Sequence, residues 1–122
     1  AGGDPAESLT AGFNAMQRVL DQARLTLNDL DRIEFMEAFA VTIVKFMRDY
    51  KPDAAKVNVG GGHIAKGHPI GATGVAMIGW AAWQLLGKAP APLQVKQPRA
   101  AATFNIGGPI CATVSTVLKL AV

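Results

Sequence analysis

The residues best suited to chemistry stand in the run Gly67-His68-Pro69-Ile70-Gly71-Ala72-Thr73-Gly74. A histidine can take or give a proton near neutral pH, act on a nearby thiol, or donate a hydrogen bond to developing negative charge. Glycines such as Gly67 let the backbone come close to a ligand, and Pro69 fixes the chain direction after His68. An apolar segment follows, so His68 is expected beside a helix N-terminus, whose unpaired N–H groups and positive dipole end favour an anion. An isolated Gly-His-Pro is equally a tight turn whose histidine caps or packs.

The elements that must position this run follow from periodicity. Leu9, Phe13, Met16, Leu20 and Ala23 recur at three- and four-residue spacing and predict an amphipathic helix over residues 7–24. Arg32–Met36 reads as a short apolar run and a strand, and Phe39, Ile43, Phe46, Met47 and Tyr50 predict a second helix stopped near Pro52. Lys56–Val59 is short and β-branched, a candidate buried strand feeding the glycine-rich loop Gly60–Gly74. From Val75 to Leu86 the chain is apolar almost all round, which predicts a helix buried on most sides and stopped at Gly87. Ala89–Pro98, with three prolines, reads as an exposed connection. Ala100–Ile106 and Ile110–Leu120 predict two strands joined at Gly107-Gly108-Pro109. Strands alternating with helices, then a closing hairpin, specify one α/β domain over 1–122 with a mixed sheet.

Composition narrows the partners. Residues 1–44 hold three basic and seven acidic side chains, whereas residues 45–122 hold nine basic and two acidic. From Ala54 onward there is no Asp or Glu, so that region offers neither a carboxylate pair nor an oxygen-rich metal site, and no metal is expected. Its lysines and Arg99 suit a phosphorylated ligand or simply form a solvated basic face. They are scattered, without interleaved aromatics, which argues against nucleic acid. Charged residues make up 17% of the chain, against about 25% in a typical domain. Cover by another domain or subunit would account for that, and so would a chance bias towards Ala and Gly. Cys111 is the single cysteine, so an intrachain disulfide is excluded. No apolar stretch suffices for a membrane span and the N-terminus does not read as a signal peptide, so a cytoplasmic location is expected. A start at Ala1 suggests a processed or truncated product.

The longer string Asn58-Val59-Gly60-Gly61-Gly62-His63-Ile64-Ala65-Lys66-Gly67-His68-Pro69-Ile70-Gly71-Ala72-Thr73-Gly74 resembles the C-terminal signature of thiolases. Two further segments agree in order and spacing. Ile33-Glu34-Phe35-Met36-Glu37-Ala38-Phe39-Ala40 resembles the family's Asn-Glu-Ala-Phe segment, and Phe104-Asn105-Ile106-Gly107-Gly108 its Cys-x-Gly-Gly-Gly segment. The resemblance implies a thiolase-like C-terminal domain, with a buried helix after the Gly-His-Pro loop, that belongs to a longer chain. It also implies a coenzyme A thioester as substrate, no separate cofactor, and a dimeric or tetrameric whole enzyme of fatty acid metabolism.

In that family a cysteine of the N-terminal half accepts the acyl group, and the Gly-His-Pro histidine activates it. The Asn-Glu-Ala-Phe asparagine holds the water that completes an oxyanion hole. The Cys-x-Gly-Gly cysteine moves the α-proton, and a backbone N–H of the glycines stabilises the thioester oxygen. Carried over, His68 and the Gly107 backbone match, with Gly67, Pro69 and Phe39 expected to line the substrate. Met36 replaces the asparagine, and a thioether is a weak acceptor. Asn105 replaces the acid/base cysteine and has no ionisable proton, while Pro109 replaces a glycine donor. Cys111 is better explained as a buried structural thiol than as a substitute. His63 and Lys66 stand where the family has small or apolar residues. Positioned acid/base catalysis is worth roughly 10²–10⁴-fold and an oxyanion donor about 10²–10³-fold. The resemblance thus implies an acyltransferase whose Claisen step is impaired and whose isolated C-terminal domain is inactive. The alternative is a non-catalytic acyl-CoA-binding or partner subunit of a thiolase-fold complex.

Overall fold

The computed structural model describes residues 10–37, 39–59, 67–107 and 112–121. Residues 1–9, 38, 60–66 (with His63 and Lys66), 108–111 (with Pro109 and Cys111) and 122 lie outside the described residues.

Helix α1 spans Ala11–Ala23 and buries Phe13, Met16 and Leu20, the stripe that the periodicity specified. It ends at Arg24, in the left-handed conformation (φ 55°), whose N–H is accepted by Asp21 O. Strand β1 spans Arg32–Phe35 and is buried at all four residues, so both of its faces are covered. Helix α2 spans Ala40–Tyr50, buries Thr42 and Phe46, and ends at left-handed Lys51 just before Pro52. Helix α3 spans Thr73–Leu85. It closes with paired backbone bonds, Gly87 N–H to Gln84 O and Lys88 N–H to Trp83 O, and with Gly87 at φ 67°, which makes Gly87 the expected stop. Strands β2 (Ala100–Gly107) and β3 (Ala112–Lys119) form the expected hairpin.

The sheet runs β1-β2-β3 and is mixed. β1 and β2 pair in parallel, from Arg32 opposite Ala101 to Phe35 opposite Phe104. β2 and β3 pair antiparallel, from Ala100 opposite Lys119 to Gly107 opposite Ala112. Side-chain alternation then sorts the layers. Ile33, Phe35, Ala100, Ala102 and Phe104 join Phe13, Met16, Leu20 and Phe46 in one core, beneath α1 and α2. Its centre is aromatic, with Phe35 stacked on Phe46 at 4.5 Å between ring centroids. Ala101 faces the other way and packs on Ala81 and Leu85 of α3. Helices therefore cover both faces of a three-stranded sheet.

Four differences from the sequence reading have physical causes. Lys56–Val59 forms no strand: a 3-10 turn occupies Ala54–Lys56, and Val57 makes only a single parallel bridge to Ile33. Asn58 stops the extension by turning left-handed (φ 48°) and engaging β1 with its side chain. Strand β1 is not purely apolar, because Arg32 and Glu34 share its α3 face as a buried pair, with Arg32 Nε donating to Glu34 Oε1 at 2.7 Å. Burial pulls the guanidinium below its ordinary pKa, against the opposing charge of Glu34.

The third difference concerns the helix after the Gly-His-Pro loop. It is buried along one face only, at Thr73, Met77, Ala81, Gln84 and Leu85, and leaves Val75 (73% accessible), Ile78, Trp83 and Leu86 exposed. The fourth is the connection Ala89–Pro98, which is tied down rather than merely exposed. Fully buried Gln84 donates to Leu93 O at 2.8 Å and accepts from Val95 N–H at 2.9 Å, while Gln94 donates back to Gln84 O at 2.8 Å.

Candidate functional site

Gly67 has φ +77°, a conformation that glycine adopts without the penalty an L side chain incurs, and it delivers His68 to an exposed position before α3. The Pro69 carbonyl then gathers the start of the helix, accepting N–H bonds from Ala72 and Thr73 at 2.9 Å each. Thr73 is buried, and its hydroxyl reaches both sides of the turn: Oγ1 donates to Pro69 O at 3.0 Å and lies 2.9 Å from His68 Nδ1. The ring is thereby anchored to the first turn of α3 through one nitrogen. Ala72, at the N-cap of that turn, makes no side-chain capping bond.

One residue further on, Gly74 lies flush against the sheet. A Cβ there would stand 2.5 Å from Asn105 Nδ2, so the Asn105 amide occupies the space a side chain would need. Asn105 is half-buried near the end of β2, and Gly107 is the last residue of that strand. Met36 directly follows β1 and is buried. Its N–H is accepted by Phe104 O at 2.9 Å, and its sulfur accepts the Ile106 N–H at 3.0 Å. In a continuing parallel ladder that N–H would go to the next backbone carbonyl, so here a thioether finishes the ladder.

The structure thus brings together most of the residues singled out in the sequence, at the carboxyl end of β1 and β2 and the N-terminus of α3. His68 is joined to Thr73, Gly74 meets Asn105, and Ile106 links the Asn105 strand to Met36. The crevice outside the carboxyl ends of parallel strands is the usual ligand position in open α/β sheets. Phe39 stands apart from these bonds, at the start of α2 and 53% accessible, with its carbonyl accepting the Thr42 hydroxyl at 2.7 Å. Two hollows, of about 720 and 490 Å³, lie at the opposite end of the sheet, beside Leu85 and Pro98 and beside Asp31 and Arg99. Neither is lined by His68, Met36 or Asn105.

Two positioning residues escaped the sequence reading. Thr73 was only a member of the glycine-rich string. Asn58 opens that string, yet its work is done on a distant strand. Its Oδ1 accepts Phe35 N–H at 2.7 Å, and its Nδ2 donates to Phe35 O at 3.0 Å and to Glu37 Oε1 at 2.8 Å. That clasp holds the segment carrying Met36 against the chain leading to His68. An asparagine before a glycine run signals a turn, and nothing in its spacing pointed to Phe35.

Comparison with known proteins adds an independent line. The family model for the thiolase C-terminal domain matches residues 1–96, which includes the His68 loop and α3 and stops before β2. An acetyl-CoA acetyltransferase of Pseudomonas aeruginosa is 47% identical over 78 residues, covering 64% of this chain and 20% of that protein. A steroid 3-ketoacyl-CoA thiolase of Mycobacterium tuberculosis is 43% identical over 75 residues, 62% of this chain and 18% of the relative. A 3-ketoacyl-CoA thiolase of Bacillus subtilis is 43% identical over 77 residues, 62% of this chain and 20% of the relative. The aligned stretch therefore spans about a fifth of the length of these relatives.

Proposed function

The chain belongs to the thiolase family through its C-terminal domain, and on that premise we propose that it serves a thiolase-like acyl-CoA acyltransferase in which acyl transfer persists and the Claisen step is impaired. In this reading a cysteine thiol from an N-terminal thiolase half loses its proton to His68. The sulfur then attacks the thioester carbonyl carbon, the carbon–sulfur bond to coenzyme A breaks, and the coenzyme thiolate recovers a proton. The Gly107 backbone N–H steadies the oxygen, and Gly67, Pro69 and Phe39 border the acyl chain. No cofactor beyond the coenzyme A thioester is invoked, and the whole enzyme is a cytoplasmic homo-oligomer.

The observation that carries the proposal is the Asn105 amide packed on Gly74, one residue from the hydroxyl that anchors His68. If Asn105 takes the place of the family's proton-moving cysteine, as the resemblance implies, a carboxamide stands there, and it cannot cycle a proton at working pH. Met36 deepens the loss, since its sulfur is engaged with Ile106 N–H within the sheet. The exposed apolar face of α3 supports the N-terminal half as its cover, because contiguous apolar surface of that kind marks an interface.

The full-length protein supplied with acetyl-CoA tests this reading. An acylated cysteine found by mass spectrometry, with acetoacetyl-CoA thiolysis about 10²-fold or more below an ordinary thiolase, is the expected result. Thiolysis at the ordinary rate would refute the impairment. A second reading, a non-catalytic acyl-CoA-binding or partner subunit, draws on the same altered positions. A full-length chain without a nucleophilic cysteine would favour it.

A further inference from the structure

We propose that Thr73 is the positioning residue of His68, fixing the ring as its Nδ1–H tautomer so that Nε2 is the proton-accepting nitrogen. The argument is a count of protons. A hydroxyl carries one proton and two lone pairs. Thr73 is 1% accessible, its Oγ1 is 3.0 Å from Pro69 O and 2.9 Å from His68 Nδ1, and that placement brings both groups into hydrogen-bond range at once.

With the proton directed at Pro69 O, Oγ1 meets the ring with a lone pair and Nδ1–H donates to it. Two bonds then run in series, from ring to hydroxyl to carbonyl, each polarising the other. With the proton turned towards Nδ1, the hydroxyl makes one bond and its buried oxygen loses its donor, an arrangement worth less by one hydrogen bond. The series arrangement prevails, and the protonated nitrogen is Nδ1.

The setting makes this a built feature. His68 lies on an exposed loop, whereas Thr73 is held in the first turn of α3, with Gly74 packed on Asn105 and the far end of the helix closed by Gly87. The tautomer is therefore set from the rigid side. Its consequence for catalysis rests on the acyl-transfer reading above: the thiol proton arrives at Nε2, the ring becomes imidazolium, and the Nδ1–H···Oγ1 bond persists through the step. The tautomer itself does not depend on that reading.

The test uses the full-length protein labelled with ¹⁵N-histidine, with the His68 signals identified by their loss in His68→Asn. The neutral wild-type ring is expected to show a protonated Nδ1 and an unprotonated Nε2. Thr73→Val, which keeps the shape and removes the hydroxyl, is expected to shift the ring towards Nε2–H and to lower acyl transfer roughly 10-fold or more. Thr73→Ser restores both. A wild-type ring protonated on Nε2, or a Thr73→Val spectrum unchanged from wild type, overturns the proposal. Should Thr73→Val fail to fold, the wild-type and Thr73→Ser spectra still decide the tautomer. If the tautomer follows Thr73 while His68→Asn retains full acyl transfer, the tautomer assignment stands and the role of His68 in acyl transfer falls.

Discussion

At the scale of single residues, two side chains carry the proposed impairment. Met36 and Asn105 occupy adjoining positions on neighbouring strands, since Phe35 pairs with Phe104 in the parallel register. In the proposed reading the two positions act together, one as the missing amide and the other as the missing proton carrier. Restoring a proton carrier and a water-binding amide together is therefore the informative experiment. The full-length double variant Met36→Asn with Asn105→Cys is expected to raise acetoacetyl-CoA thiolysis by about 10²-fold or more, measured as kcat/KM. The single change Asn105→Cys is expected to recover only part of this, because the amide at position 36 is still missing.

At the scale of elements, the Asn58 clasp joins the chain leading into the His68 loop to the end of β1. Asn58→Ala removes three hydrogen bonds to Phe35 and Glu37 and places alanine at φ 48°. A loss of about 2–3 kcal/mol, read from the urea midpoint, is the expected outcome. On α2, Arg48 Nε and Lys45 Nζ donate to Asp49, and those bonds, Arg48 first, hold its carboxyl well below the ordinary carboxylate range. A carboxyl whose pKa is depressed by folding adds stability above its unfolded value of 3.8, and that stability is lost as pH falls. Asp49→Asn should flatten the acid limb of the stability–pH curve below about pH 4, by a small, salt-sensitive amount because the group is exposed.

The same elements show what could be read in advance. The first two helices were legible because their apolar residues recur at three- and four-residue spacing, as at Phe13, Met16 and Leu20, the third because it is apolar almost all round, and the hairpin because two strand-like runs flank Gly107-Gly108-Pro109. Lys56–Val59 was misread because β-branched composition cannot reveal that Asn58 turns left-handed to serve another strand. His68, Met36 and Asn105 stand out by motif alone, whereas Thr73 comes to light only where the fold sets its hydroxyl between a ring and a carbonyl.

At the scale of the whole molecule, α3 is apolar on both sides but packed on one. Val75, Ile78, Trp83 and Leu86 face outward, and the domain as described does not cover them. Low charge across the chain fits the same picture. The 122-residue chain is expected to give no measurable thiolysis on its own, since the acyl-accepting cysteine belongs to the other half of the proposed enzyme. Within the full-length protein, Trp83→Glu is expected to lower the thermal midpoint by several degrees, roughly what 1–3 kcal/mol produces, because it would bury a charge at the seam.

The sulfur that completes the parallel ladder also limits which sequences this lineage can pass through. By size and hydropathy, leucine is the nearest exchange for Met36, yet it would leave the Ile106 N–H without the acceptor that now stands 3.0 Å away. A substitution that looks conservative on paper would loosen the strand end that carries Asn105. Mutational drift at position 36 is therefore channelled towards side chains that can accept a hydrogen bond, asparagine among them.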